Sequence, residues 1–558
     1  MSTNERTSAY SEKPVHEDGR ERRHTFYWLA VLLLCLLVSG TISLLRRQDC
    51  NWDLRLYHLY VPWAFLHGRM GVDLFAAGIP SYYNPLLDLP YYLLAIVYLP
   101  AHPLVVGFLT GLPTGMLAFL VWLVIRKILH DLGWRGLAWH LLTAAAVLYG
   151  MTGAAGAAQL GTTFNEVQVA VMVLAGITAL VYGFDGGRLS VRGSFYAGMC
   201  LGLATGLKMT AFDYAMGTAL AILFTTYRQQ RLGAMLVYCC GCVLSFLLIF
   251  GWWGWRLYHY TGDPLFPLLP GVFHSDLLRG VNILAFRPQS LLQYLAYPFY
   301  WLRTNTLVSE IGMADPRFAF AAVAIIAVCC RGLFYRRDPA LQPVLPASAK
   351  LILSYVGFSY YTWEFLFSIY RYTVAMECLS GLVLLIAIAQ YLPLMAAAKR
   401  PQFLTMVVVY MAITATVLTH VPFWGRCRYF TATYALLQPI KLEPYSLVVL
   451  NGIPLSYVAP LFDIAGVAPV GVRYEGIVPE IGTDNFSGLR HKLRHEITTY
   501  TGPVYIVEHP YDQDALKIMQ DALGITPTKD CQDIYTNVDD PLKICREATL
   551  PVQHLSAP

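Results

Sequence analysis

The chain reads as an all-α polytopic membrane bundle of about eleven transmembrane helices plus interfacial helices, followed by a small C-terminal α/β domain. Three observations predict this. Of its 558 residues, 56% are hydrophobic and only 13% are charged, whereas soluble domains carry about 25% charged residues. Apolar runs of membrane-crossing length alternate with short basic connections. Beyond residue 425 the hydropathy falls, charges become frequent, and short β-rich runs appear between turn signals. The net charge of +5 is small for so long a chain and does not point to nucleic acid.

Residues 1–24 are polar and of mixed charge, and no small-residue cleavage site follows a short apolar core. The run 25–45 is therefore a retained first span behind a disordered cytoplasmic tail. Further apolar runs lie at 104–125, 137–156, 167–184, 195–211, 213–227, 234–254, 317–334, 350–368, 373–393 and 402–420. Alternate connections are basic: Arg126, Lys127 and Arg135; Arg188 and Arg192; Arg228 and Arg231; Arg331, Arg336 and Arg337; Lys399 and Arg400. The positive-inside rule puts these in the cytoplasm with the N-terminus. Arg46 and Arg47, beyond the first span, run against the pattern. The stretch 195–227 is split at Lys208 and Asp213, because a single span there would invert every later basic connection. The expected location is the inner cell membrane, with residues 25–424 as the multi-pass module and 425–558 as an extracytoplasmic domain. In that domain 446–450 and 504–507 read as strands and 512–523 as a helix.

Eight of the twelve cysteines (Cys35, Cys200, Cys239, Cys240, Cys242, Cys329, Cys330 and Cys378) sit in apolar runs as small hydrophobes. Cys531 and Cys545 lie in the polar C-terminal region, where a disulfide between them suits an oxidising compartment. There is no CxxC or His-rich pattern for structural zinc.

The first outer loop, 46–103, opens on Asp49-Cys50-Asn51-Trp52-Asp53-Leu54-Arg55-Leu56-Tyr57-His58. Trp52, Leu56, Leu59, Trp63 and Leu66 recur at helical intervals, which suits helices lying in the interface, with Pro62 breaking them into two pieces. Asp53 and Tyr57, four apart, share a helix face. A second piece, Tyr83-Asn84-Pro85-Leu86-Leu87-Asp88, leads into a short re-entrant or interfacial stretch. The second long outer loop, 255–316, is aromatic, and 291–302 within it reads as another membrane-hugging helix.

With these motifs the chain resembles the GT-C superfamily of integral-membrane glycosyltransferases, which use polyprenyl-phosphate sugars as donors. The resemblance rests on Asp53, Tyr57 and His58 close behind helix one and on the Asn84-Pro85-Leu86 entry to the next membrane segment. It continues through Gly206-Leu207-Lys208-Met209-Thr210, through the run from Tyr260 to Pro267, and through Phe367-Ser368-Ile369-Tyr370-Arg371-Tyr372. Asn165-Glu166 is similar to that plan's second carboxylate, and the matching pieces cover roughly 25–390. Many relatives pair two adjacent acids in the first loop, whereas here Asp49 and Asp53 are four apart, so both stay open as the base. The resemblance implies a polyprenyl-phosphate-linked sugar donor, a glycolipid or glycan acceptor, and the lipid bilayer as partners.

The chemistry needed is modest. A lipid phosphate is a good leaving group, so transfer requires a base for the acceptor hydroxyl and cations for the developing phosphate charge. Asp53 is the candidate base. Arg371, Lys208 and Arg287 are candidate phosphate holders, and Asp49, Tyr57, His58, Glu166 and Tyr372 are candidate substrate contacts. Single displacement of this kind inverts the anomeric centre. Plainer roles compete: Asp53 as a helix cap or a partner of Arg55, Lys208 as a snorkelling residue, Arg371 as an interfacial anchor, and Glu166 as a helix-dipole acid. His58 and His259 read as interface residues, and Glu310, Asp315 and Arg317 as a structural ion-pair group. No motif calls for a cofactor; a divalent metal is compatible with phosphate chemistry but has no ligand pattern here. The absence of GxxxxGK[ST] and Rossmann fingerprints argues against a nucleotide as direct substrate.

A multi-pass transporter or lipid flippase is the second reading, but such proteins place charges near the bilayer midplane, and here they gather at helix ends. No internal repeat supports it. An envelope scaffold that binds through the C-terminal domain is the third. The C-terminal domain offers no catalytic group; Glu508 beside His509 reads as a surface loop.

Overall fold

The computed structural model describes residues 15–185, 187–269, 272–280, 286–334, 345–525 and 530–547. Arg336, Arg337 and residues 1–14 of the expected tail lie outside the described residues.

All eleven apolar runs are helical. Among the described residues six helices are long and apolar enough to cross a membrane: Thr25–Leu45, Pro103–Asp131, Glu166–Gly183, Arg231–Thr261, Arg317–Phe334 and Ala397–Leu418. A seventh is added if the pair Tyr370–Glu377 and Ser380–Leu394, bent by 46°, counts as one span. Others are shorter: Gly136–Met151 has 16 residues and Val191–Leu207 has 17, against the roughly 20 that a bilayer core requires. The first helix starts at Val15, so residues 15–24, expected in a disordered tail, are helical. Their Glu and Arg residues are strong helix formers, and extending an existing helix avoids the cost of nucleation.

The split near Lys208 is present. Val191–Leu207 ends there, Lys208 takes an extended conformation (φ −144°, ψ 111°), and a 3₁₀ turn, Met209–Ala211, leads into Phe212–Thr225. In the first outer loop the break falls elsewhere than at Pro62. A π-turn, Leu54–His58, passes into the α-helix Tyr60–Leu66 across Leu59, and Pro62 sits inside the first turn of that helix. The first-turn N–H groups of a helix have no intrahelical acceptor, so a proline there removes no hydrogen bond.

The C-terminal region forms a five-stranded mixed sheet. Its strands are β1 (Leu447–Asn451), β2 (Arg473–Ile477), β3 (Val504–Glu508), β4 (Cys531–Ile534) and β5 (Leu542–Glu547), in the order β2-β1-β3-β5-β4. β1 runs parallel to β2 and β3, while β5 is antiparallel to β3 and β4. Every residue of β1 and β3 is buried, as expected for parallel strands covered on both faces. Alternation sends Leu447 and Val449 to one side, against Leu489, Leu493 and Met519 of the helices Ser487–Thr499 and Gln513–Leu523. Val448 and Leu450 face the other side, where they meet Val458, Phe462 and also Leu54, Tyr60 and Trp63 of the first outer loop. The sheet is thus packed directly on the segment that carries Asp53.

Two covalent links hold this end together. Cys531–Cys545 joins the neighbouring strands β4 and β5. Cys50–Cys427 fastens the start of the first outer loop to a segment 377 residues later, beside an antiparallel pairing of Gln48–Asp49 with Arg426–Cys427. The helix Leu291–Tyr300 of the long loop exposes Leu291, Leu292 and Leu295 and buries Tyr297 and Pro298.

Candidate active site

Asp53 stands at the junction of these elements. Immediately before it, Asp49 is consumed by the fold: its carboxylate accepts from Asn51 Nδ2 at 2.8 and 2.9 Å, Asn51 N at 3.2 Å, Thr163 N at 2.7 Å and Thr163 Oγ1 at 2.8 Å. Asn51 Oδ1 in turn accepts from Leu54 N at 2.7 Å and caps the turn that follows. Asp53 is therefore not needed as a cap and makes no capping bond. Nor does it pair with Arg55, whose guanidinium reaches Asp539 of the C-terminal domain. Both structural roles that compete for Asp53 are filled by other residues.

Asp53 Oδ2 instead accepts from Arg371 Nη1 at 2.8 Å and from the Tyr57 hydroxyl at 3.2 Å. Among the described residues Oδ1 has no hydrogen-bond partner. Burial alone would push this carboxyl up, but the guanidinium of Arg371, then His58, Lys208 and the Tyr57 hydroxyl hold it below the ordinary carboxylate range. Burial and the Asp53 charge push the Tyr57 phenol far up, so it stays a proton donor.

Arg371 is held as firmly. It lies in the 3₁₀ turn Tyr370–Thr373. The Tyr370 hydroxyl donates to Glu377 at 2.8 Å, the Glu377 carboxylate accepts from Ala155 N and Gly156 N at 3.0 and 2.8 Å, and Gln159 Nε2 donates to the Arg371 carbonyl at 3.0 Å. Gly153 is required here, since a Cβ would lie 2.0 Å from the Glu377 carboxyl carbon. The guanidinium is framed by the rings of Phe164, Tyr372 and Trp424 at 5.2, 5.5 and 5.8 Å. Its Nη2 faces Glu310 at 3.8 Å. Glu310 is thus separated from Asp315 and Arg317, which form a fully buried pair at 2.9 Å.

Lys208 joins from the opposite helix break. Its Nζ donates to Glu166 Oε1 at 2.6 Å and lies 5.7 Å from the Tyr372 ring centroid. Glu166 is also the first residue of its helix, so its dipole role and its contact with Lys208 coexist. His58 makes its hydrogen bond to a different acid: Nδ1 meets Asp88 Oδ1 at 2.6 Å, and Asn165 Nδ2 donates to the same oxygen at 2.6 Å. This set ties the first loop's two pieces to the start of Glu166–Gly183. Tyr83 packs edge-on against Tyr57 at 5.6 Å.

Of the candidates named from the sequence, the structure brings Asp53, Tyr57, Arg371, Tyr372, Lys208 and Glu166 together and gives Asp49 and His58 supporting bonds. It does not bring in Arg287, which donates to the Leu366 carbonyl at 2.9 Å and stacks on Phe365. Leu366 is the last residue of the helix Ala347–Leu366, and a carbonyl at a helix end lacks an intrahelical donor, so Arg287 serves as its cap. Phe164, Trp424 and Glu310 are additions; Trp424, three residues before Cys427, had its only sequence signal in an aromatic near a cysteine outside the apolar runs. Among the described residues no group of three or more His, Cys, Asp or Glu side chains converges as a metal set.

No family model matches this chain, and no curated protein does. Among solved structures it is similar to ArnT from Cupriavidus metallidurans bound to undecaprenyl phosphate, at 13% identity over 95% of this chain and 99% of that one, with a TM-score of 0.39. It is also similar to the arabinofuranosyltransferase AftD from Mycobacteria, at 14% identity over 92% of this chain and 40% of that one, with a TM-score of 0.47. Likenesses of this size leave the activity to be argued from the side chains.

Proposed function

We propose that the protein is a membrane glycosyltransferase of the GT-C type, moving a sugar from a polyprenyl-phosphate donor to a cell-envelope lipid or glycan acceptor on the extracytoplasmic side. The observation that carries this reading is the Asp53–Arg371 pair, a buried carboxylate with one oxygen unengaged and a cation at 2.8 Å on the other. In the proposed step the acceptor hydroxyl oxygen attacks the anomeric carbon as the bond to the phosphate oxygen breaks. The hydroxyl proton passes to Asp53, polyprenyl phosphate leaves, and the anomeric centre inverts. Arg371 and Lys208 would take up the charge on the departing phosphate.

Base and phosphate holder are thus paired before donor binds, and a donor phosphate competes with Asp53 for Arg371. As Arg371 turns to the phosphate, the carboxylate loses its largest charge-stabilising neighbour while staying buried, so its proton affinity rises when the base is needed.

The test is Asp53→Asn in purified full-length protein supplied with polyprenyl-phosphate sugars. The variant should fold, bind donor and lose about 10²- to 10⁴-fold in turnover, the usual size of a general-base contribution. Wild-type turnover in that variant would overturn the reading, and a transporter or scaffold would show no transfer even in the wild type. Deleting the gene and comparing envelope glycans by mass spectrometry would name the sugar and acceptor.

A further inference from the structure

A second polar cavity lies at the other end of the helix that follows Asp53. It is walled by Tyr60 and Phe65 of Tyr60–Leu66, by Arg69 and Asp73, by Tyr82, and by Trp253 and Arg256 near the end of Arg231–Thr261, and it is partly open to solvent. Asp53 lies in the same outer loop as most of the lining, and no residue of the Asp53 cluster lines the cavity.

Its charges do not balance. Arg69 is charge-paired: Nε donates to Asp73 Oδ2 at 2.9 Å, Nη2 reaches both Asp73 Oδ1 and the Val472 carbonyl, and Tyr60 donates to Asp73 at 3.0 Å. Arg256 has no such partner. Among the described residues its guanidinium makes no hydrogen bond and no ion pair, and it lies over the face of Trp253 at 5.8 Å. Half-buried beside aromatic walls, it offers five donors and no acceptor to receive them. The Tyr82 hydroxyl, in a residue 4% exposed, is buried beside the Tyr260 hydroxyl and the Phe75 backbone without full hydrogen-bond geometry to either, its ring stacking on Tyr260 at 5.8 Å. Trp253 fixes this corner by donating Nε1–H to the Tyr82 carbonyl at 3.0 Å.

The position adds a second constraint. Arg231–Thr261 has 31 residues, about 46 Å at 1.5 Å per residue, which exceeds the roughly 30 Å of a hydrocarbon core. Its apolar run stops at 254, so Arg256 falls where lipid headgroups lie. An unmatched guanidinium, a buried phenol donor and an aromatic wall at that depth select a compact oxyanion.

We propose that this cavity is a phosphate-binding site, with Arg256 as the cation and Tyr82 as a second donor, that takes a phosphate ester presented at the membrane surface. The site is independent of the transferase reading and can be tested without an activity assay. The probes are phosphatidylglycerol, counted by native mass spectrometry on full-length protein in a non-ionic detergent, and inorganic phosphate, followed by the shift in melting temperature. Wild type should retain phosphatidylglycerol. Arg256→Gln should bind it about 10- to 100-fold more weakly, the usual loss of a charged hydrogen bond, at unchanged melting temperature without ligand. Tyr82→Phe, which deletes only a hydroxyl, should weaken binding several-fold. A response to inorganic phosphate that Arg256→Gln abolishes marks a site for the free anion as well; a response to lipid alone marks a headgroup site. Equal binding by Arg256→Lys would overturn the proposal, because a residue that merely anchors the helix at the interface tolerates lysine and a fork-shaped oxyanion contact does not. Binding undiminished in Arg256→Gln, or no binding of either probe by wild type, would overturn it too.

Discussion

Replacing Arg371 by glutamine tests the site most directly, because it leaves Asp53 in place and removes the charge that keeps it ionised. The guanidinium donates to Asp53 at 2.8 Å, and the side chains are 16% and 10% exposed. With charge centres about 4 Å apart and an effective dielectric constant of about 20, the attraction is about 4 kcal/mol. An opposite charge that close favours the ionised form of the carboxyl. The sign follows from the two opposing causes. Burial pushes Asp53 up, and Arg371 leads the charges that bring it down; without Arg371 the balance moves toward burial, and the folded carboxyl rises. The acid limb of kcat/KM, which reports the free enzyme's base, should therefore shift to higher pH in Arg371→Gln. Stability should move with it. In wild type the depressed Asp53 contributes stability that is present above its unfolded pKa and lost as pH falls through the folded one. In the variant an unpaired buried carboxylate costs about 3 to 5 kcal/mol near neutrality, and this deficit should shrink as the pH falls and the carboxyl protonates. A pH–rate profile and melting curves across the acid-to-neutral range give both readouts. An acid limb that stays in place in a folded variant would refute the assignment of Asp53 as the ionising base.

Asp49→Asn should behave unlike Asp53→Asn: with five hydrogen bonds disturbed around a buried carboxylate, it should lower stability by about 1 to 3 kcal/mol while the folded fraction keeps its turnover, as melting curves with active-fraction-corrected rates would reveal. Cys50→Ala with Cys427→Ala should destabilise the protein by about 2 to 5 kcal/mol and slow transfer, since that bridge anchors both the Asp53 loop and the Trp424 segment; a fully active double variant would show that the link is dispensable. Trp424→Ala removes one ring from the cage around Arg371 and should raise the donor KM by about 2- to 30-fold, the equivalent of about 0.5 to 2 kcal/mol of cation–π contact, with Trp424→Phe intermediate.

The elements of the bundle were legible because hydropathy is local: each apolar run became a helix, and the charge at Lys208 marked a real break. How many of those helices cross a bilayer was not, since Gly136–Met151 and Val191–Leu207 are apolar yet short, and their length emerges only where packing ends them. The same division holds at the site. Asp53, Tyr57 and Lys208 stand where polar residues interrupt apolar sequence, a pattern with an energetic cost that invites a functional reading. Arg371 and Arg287 are both named as phosphate holders from the sequence, Arg371 alone within a segment that carries the resemblance, and chain geometry sends one to Asp53 and the other to the Leu366 carbonyl. The two acids of the first loop differ for a reason the sequence cannot carry either. Thr163, 114 residues beyond Asp49, supplies the backbone and hydroxyl donors that saturate it, while Asp53 keeps an oxygen free among the described residues. A base must spend its lone pair on the incoming proton, so the carboxylate with fewer structural obligations is the one chemistry can use. By that criterion the long-range contacts of Asp49, rather than any property of Asp53, decide between them.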